Sequence, residues 1–199
     1  MHPTDALASQ RLLSTLAGGE LPDWHGFADG VRVLRVARDS LVFDHGVAHP
    51  YVYVMRRGLL KLAYLSDRGE EWIKSFIAEG QFFASIAALA PAGSTSFAAE
   101  AIEDCELEQL DYRDIAARVA SSRPWQRALA QALLIYGARK EARERELLTL
   151  APAERYRAFL RQSPGVVDRV RQRDLALYLG VTPVSLSRLK ARVRAAGGA

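Results

Sequence analysis

The chain has 199 residues, 49% hydrophobic and 25% charged, with a net charge of +4 and one cysteine, Cys105. That is an ordinary globular composition, long enough for one sizeable core or two small ones. It excludes a membrane span of about 18 or more apolar residues, an intrachain disulfide, and a cysteine-rich zinc or iron–sulfur site within one subunit. The start, MHPTDALASQRLLSTLAGG, has no cationic stretch followed by an apolar core, so no secretory signal is expected and the predicted location is cytoplasmic. Charge is unevenly placed: residues 151–199 hold ten Lys/Arg against three acids, a balance of +7, whereas the first 150 carry −3. A basic tail on a mildly acidic body suits either a polyanion partner or a solvated charged surface.

In chain order, Leu7, Leu12, Leu13 and Leu16 share a face of a helix predicted from Thr4 to Ala17. From Val31 the texture changes to short β-rich stretches separated by Gly, Asp, Ser and Pro: Val31–Val36, Leu41–Phe43, Tyr51–Met55, Leu59–Leu65, Glu71–Ile77, Phe97–Ile102 and Cys105–Leu110. Strands at this spacing predict a small barrel or sandwich, with 66–69 as a hairpin loop. Phe82–Leu89 reads as a short helical turn and Pro91–Thr95 as a loop. Tyr112–Val119 is a short helix.

A long helix follows from Pro124 to Leu150, its proline tolerated in the first turn. Trp125, Leu129, Leu133 and Tyr136 recur at spacings of three and four, and Leu147 continues the stripe. Such a helix needs a partner along its length, either the barrel or its own copy in a dimer. Because 139–146 are highly charged, the dimer seam is expected near Leu129, Leu133 and Tyr136. Ala151-Pro152 breaks the helix, and another runs from Ala153 to Gln162.

The densest signal is Gln172–Lys190. Leu175, Ala176 and Leu179 form the inner face of a short helix, with Ala176 small where a second helix must cross. Gly180 permits a positive φ in a tight turn. Val181 plugs the space between helices, Thr182 caps the second and Pro183 takes its first position. Leu186 and Leu189 face inward; Ser185, Ser187 and Arg188 face outward. This spacing predicts a helix-turn-helix whose basic second helix could enter a DNA major groove. The alternative is an αα-corner that happens to be basic.

Here the chain resembles the catabolite-activator/fumarate–nitrate regulator superfamily. Asp174–Lys190 is similar to that family's DNA-binding motif, Val54–Leu62 to its β-roll signature with a glycine after a basic residue, and Gly80-Gln81-Phe82 to the start of its nucleotide-phosphate cassette. The resemblance runs from about Val31 to the C-terminus. It implies an α+β chain: a β-roll (a cyclic-nucleotide-binding-like jelly roll) with an N-terminal helix over 1–120, a long dimerisation helix over 121–150, and a winged helix-turn-helix over 151–199. It also implies base readers at and one turn after the start of the second helix. Since Pro183 and Val184 cannot donate to bases, Arg188 is the expected principal reader. Ser185 and Ser187 assist at bases or phosphate; Thr182, Lys190 and Arg171 are phosphate candidates. The implied partners are double-stranded DNA, a second copy of the chain and, for an activator, RNA polymerase.

The resemblance places an effector pocket at Gly80, Gln81, Ser85, Thr95 and Ser96. In cyclic-nucleotide members a glutamate holds the ribose and an arginine the phosphate; those positions fall at Ser85 and near Thr95-Ser96. A buried phosphate without a cation is costly, so cyclic AMP of the usual kind is not the expected effector, and no cofactor is expected. His45 and His49 beside Asp44 admit a metal or haem, but also a plain turn with two exposed histidines. Cys105 reads as a strand residue. An enzyme of cupin type would need clustered ligands, and His2, His25, His45 and His49 are scattered; no enzyme is expected. The remaining competitor is a β-roll ligand-binding module whose helical tail docks on protein. Arg169–Gln172 could supply one wing strand before the motif, and the wing is expected to be minimal.

Overall fold

The computed structural model describes residues 7–66 and 68–197, except for the side chains of 194–197. In chain order the elements are α1 (Ala8–Ala17), α2 (Trp24–Ala28), β1 (Arg32–Val36), β2 (Leu41–Phe43), β3 (Tyr51–Arg57), β4 (Leu60–Leu65), β5 (Glu71–Ile77), β6 (Phe82–Phe83), α3 (Ile86–Leu89), β7 (Ala98–Ala101), β8 (Cys105–Asp111), α4 (Tyr112–Val119), α5 (Arg123–Thr149), α6 (Pro152–Gln162), α7 (Gln172–Leu179) and α8 (Pro183–Gly197). Two antiparallel four-stranded sheets, β1-β8-β3-β6 and β2-β7-β4-β5, face each other as a roll. Phe43, Tyr53, Met55, Leu62, Phe97 and Leu107 fill the space between them. At the β3–β4 turn only glycine fits: Gly58 has φ +103°, and a Cβ there would lie 2.6 Å from the Asp104 carbonyl oxygen.

The outer face of the first sheet carries the second core. Trp24 and Phe27 of α2 and Trp125 and Ala128 of α5 pack with Val54 and Leu110. α1 begins over the fully buried Glu108, whose carboxylate accepts from Ala8 N and Ser9 N, 2.7 Å each. A carboxylate at a helix start meets both the free N–H groups and the positive end of the helix dipole. The expected start of this helix at Thr4 lies outside the described residues. The third core joins α6, α7 and α8 to the roll: Phe159, Val166, Val170, Leu175, Leu179 and Leu186 close against Leu59 and Ile102.

Three expectations are corrected. Helix α2 was not anticipated; its apolar residues, Trp24 and Phe27, are only one turn. Phe82–Leu89 is not one helical turn: Phe82 and Phe83 pair with Val54 and Tyr53 as β6, and only Ile86–Leu89 is helical. The wing strand is not formed, and no strand follows Asp111 among the described residues. Instead Val166 N bonds Ser163 O, Arg169 N bonds Val166 O and Val170 N bonds Val166 O. These turns occupy the backbone that a ladder would need, while Val166 and Val170 are buried.

Candidate nucleic-acid interface and sensor cavity

α7 and α8 are held by their shared inner face. Leu175, Ala176, Leu179 and Leu186 are each at most 1% exposed. Gly180 ends α7 at φ +67°, and its N–H bonds Leu177 O while Val181 N bonds Ala176 O. Such a left-handed glycine with returning N–H groups closes a helix C-terminus. Thr182 Oγ1 then accepts from Ser185 N at 3.1 Å, an N-cap, and Pro183 opens α8.

The outer face of α8 is open. Thr182, Val184, Ser185, Ser187 and Arg188 are exposed, and Lys190 is half-buried. Arg188 has no hydrogen bond or ion pair among the described residues. Ser187 accepts from Gln172 Nε2 at 2.6 Å, and Thr182 Oγ1 donates to Ser185 Oγ at 2.9 Å. Arg171, expected at phosphate, instead pairs with Asp39 in the β1–β2 turn.

That pair is one of several ties between this helix pair and the roll. Lys61 Nζ lies 2.7 Å from Glu71, 3.4 Å from Glu100 and 3.6 Å from Asp174 of α7. Burial opposes its charge, but these carboxylates raise the ammonium above the usual lysine range. Arg169 donates to Glu103 at 2.7 Å and Glu79 at 2.9 Å. Its hydrogen bonds hold the Glu79 carboxyl down to about 2. Arg143 of α5 lies 3.7 Å from the centre of the Tyr178 ring and donates to the Tyr178 carbonyl oxygen. Apart from Lys61 and Glu71, ten residues apart on paired strands, these partners are distant in sequence.

The polar groups of the expected effector loop are already bonded within the chain. Thr95 Oγ1 donates to Asp44 O at 2.6 Å and accepts from Val47 N at 3.0 Å. Ser85 Oγ accepts from Ser96 N at 3.1 Å. Gly80 N bonds Met55 O, and Gln81 Oε1 accepts from Ala78 N. A cavity of about 840 Å³ lies between α1, β3, β6, α3, β8, α4 and α5; Phe82, Ala84 and Ala88–Gly93 of this segment form part of its wall, but none of Gly80, Gln81, Ser85, Thr95 and Ser96 does. Its walls include Leu12, Leu16, Val54, Phe82, Leu129 and Tyr136. All three expected dimer residues, Leu129, Leu133 and Tyr136, line it, and Leu133 is also 48% exposed. Leu134 and Leu148 of the same helix are 64% and 78% exposed.

The other candidates are spent locally. His45 lies 3.3 Å from Asp44 Oδ1. His49 Nε2 meets Tyr53 Oη at 2.7 Å, and burial lowers its pKa. Burial pushes the Cys105 thiol up to about 11, far from a reactive thiolate. Among the described residues no group of three His, Cys, Asp or Glu could hold a metal, and no helix is long and apolar enough to cross a membrane.

Residues 33–122 match the family model of the cyclic nucleotide-binding domain. No curated protein sequence matches the chain. Among solved structures it is similar to FixK2 of Bradyrhizobium japonicum, with 20% identity over 84% of this chain and 86% of that one and a TM-score of 0.74. It is also similar to the c-di-GMP-responsive global regulator CLP of Xanthomonas campestris, with 16% identity, 87% and 91% coverage and a TM-score of 0.69. For the catabolite activator protein of Thermus thermophilus the identity is 25%, the coverage 92% and 87%, and the TM-score 0.54. Residues 33–122 are thus similar to a cyclic nucleotide-binding domain, and the fold of the chain is the one seen in these solved regulators of the catabolite-activator/fumarate–nitrate type.

Proposed function

We propose that the chain is a homodimeric transcription regulator that binds double-stranded DNA through α7 and α8 as a helix-turn-helix. The observation that carries this reading is the open face of α8: an exposed Arg188, without a partner among the described residues, beside exposed Thr182, Ser185 and Ser187, on a helix fixed by a left-handed glycine and an N-cap. An arginine so placed can donate two hydrogen bonds to guanine O6 and N7. Lys190 and Thr182 serve phosphates, and Arg171 does so when a phosphate displaces Asp39. The exposed leucines of α5, Leu133 and Leu134 followed by Leu147 and Leu148, support pairing with a second copy. CLP, whose fold it shares, is a global regulator.

The roll is the sensor, but cyclic AMP does not bind it in the usual way, because Ser85, Thr95 and Ser96 supply no cation and their hydroxyls already bond each other or the loop backbone. Catalysis forms no part of this reading. An activator would in addition contact RNA polymerase, and work on DNA would be done in the cytoplasm.

The test is capture of source-genome fragments on the purified chain at about 0.15 M salt, beside Arg188→Ala. The reading expects a two-fold symmetric sequence with half-sites about one helical turn apart, enriched by the wild type and not by the variant. Enrichment by neither protein, with or without cell extract as an effector source, would turn the reading toward a helical tail that docks on protein.

A further inference from the structure

The outer face of α8 carries an apolar side chain where a polar one would be expected. At 3.6 residues per turn, Val184, Ser187, Arg188 and Ala191 share one stripe of the helix, opposite the buried Leu186 and Leu189. All four residues of the stripe are exposed. Val184 lies in the first turn and is 63% exposed. The two large apolar side chains more exposed than this among the described residues, Leu134 and Leu148, are on α5, where a second copy is proposed to pack. Val184 instead stands one turn before Arg188. Pro183 beside it is exposed as well, so the leading edge of the helix is apolar.

In a helix-turn-helix the N-terminal residues of the second helix meet base edges in the major groove. There guanine offers acceptors, cytosine a donor, adenine a donor and an acceptor, and thymine an acceptor and its C5-methyl group. Reading cytosine takes an acidic side chain, and reading adenine takes Asn or Gln. α8 contains no Asp, Glu, Asn or Gln. Ser187 Oγ, the acceptor of the stripe, already takes a hydrogen bond from Gln172 Nε2. Arg188 has the donors that guanine needs. For Val184 the complementary group is the methyl of thymine. Four residues of helix rise about 6 Å, against about 3.4 Å per base step, so the two side chains reach bases about two steps apart.

We propose that Val184 is a specificity-determining residue that reads a thymine through its C5-methyl group, close to the guanine read by Arg188. The inference rests on the regulator reading and deepens it: each half-site then contains a thymine recognised by apolar contact and not by hydrogen bonds.

The experiment uses a duplex carrying the enriched half-sites. Each thymine of one half-site is replaced in turn by deoxyuridine, which removes the methyl and keeps every hydrogen-bonding group, and binding of the full chain is followed by fluorescence anisotropy. At one position the replacement should weaken wild-type binding about fourfold, the loss of one buried methyl-sized group. Val184→Ala should bind the unmodified duplex about fourfold more weakly and should not distinguish thymine from deoxyuridine at that position. Arg188→Ala, weaker throughout, should still distinguish them. Because Val184 is exposed, Val184→Ala should unfold in urea like the wild type. The proposal is overturned if no replacement affects the wild type, if the half-site contains no thymine, or if Val184→Ala keeps the full difference, which would place the methyl against another group. Any of these outcomes leaves the regulator reading standing, since an enriched half-site is then in hand. Absence of any sequence-specific DNA binding overturns both.

Discussion

The loop from Gly80 to Ser96 and the turn from Gly180 to Arg188 are both polar and glycine-led, and both read as binding segments, yet they differ in what their polar atoms do. In the loop the hydroxyls of Ser85 and Thr95 are buried and bonded to the chain's own backbone. In the turn the cap is satisfied once, and Arg188 beyond it is left open to solvent. Residue type marks a candidate; hydrogen bonds still unspent mark a site.

The largest effect should come from beneath the turn. Leu186 is fully buried, so Leu186→Ala should destabilise the chain by about 2–5 kcal/mol, read by urea unfolding. It should weaken DNA binding only through the folded fraction. Next is the loop: Thr95→Val removes bonds to Asp44 O and Val47 N and should lower stability by about 1–3 kcal/mol, with DNA affinity unchanged. An altered DNA affinity without a stability change would reverse the comparison between the two segments.

A smaller effect concerns how the helix pair is tied to the roll. Arg169 depresses the Glu79 carboxyl to about 2 from 4.5, so the folded state favours the ionised form. Its contribution is present above pH 4.5 and is lost as pH falls towards 2. The pair is partly solvated, so the gain is modest. The stability difference between wild type and Glu79→Gln should be constant above about pH 5 and shrink below it; a difference that grows on acidification would contradict the pairing.

Much of the roll was legible because its signals are local. Glu71–Ile77 and Leu41–Phe43 form strands with the bounds their β-rich runs suggest, and Gly180, Thr182 and Pro183 act within one turn of themselves. What was not legible depends on distant partners. Glu108 caps α1 across about 100 residues, Lys61 meets Asp174, and Arg169 meets Glu79 and Glu103. No spacing rule reaches such pairs. The cavity escaped for the same reason: its walls come from seven elements, each apolar residue of which reads as ordinary core. The wing strand expected at Arg169–Gln172 failed because Arg169 N and Val170 N bond Val166 O in turns and Val170 is buried.

The central claim is that the open face of α8 reads DNA, and it is tested most directly by titrating an enriched DNA fragment with wild type and Arg188→Ala across a series of salt concentrations. The account predicts a steep fall of affinity with salt for both proteins, since phosphate contacts remain. At each salt the variant should be weaker by about 1–3 kcal/mol on the specific sequence and unchanged on unrelated DNA. Equal affinities of the two proteins for the specific sequence would contradict it.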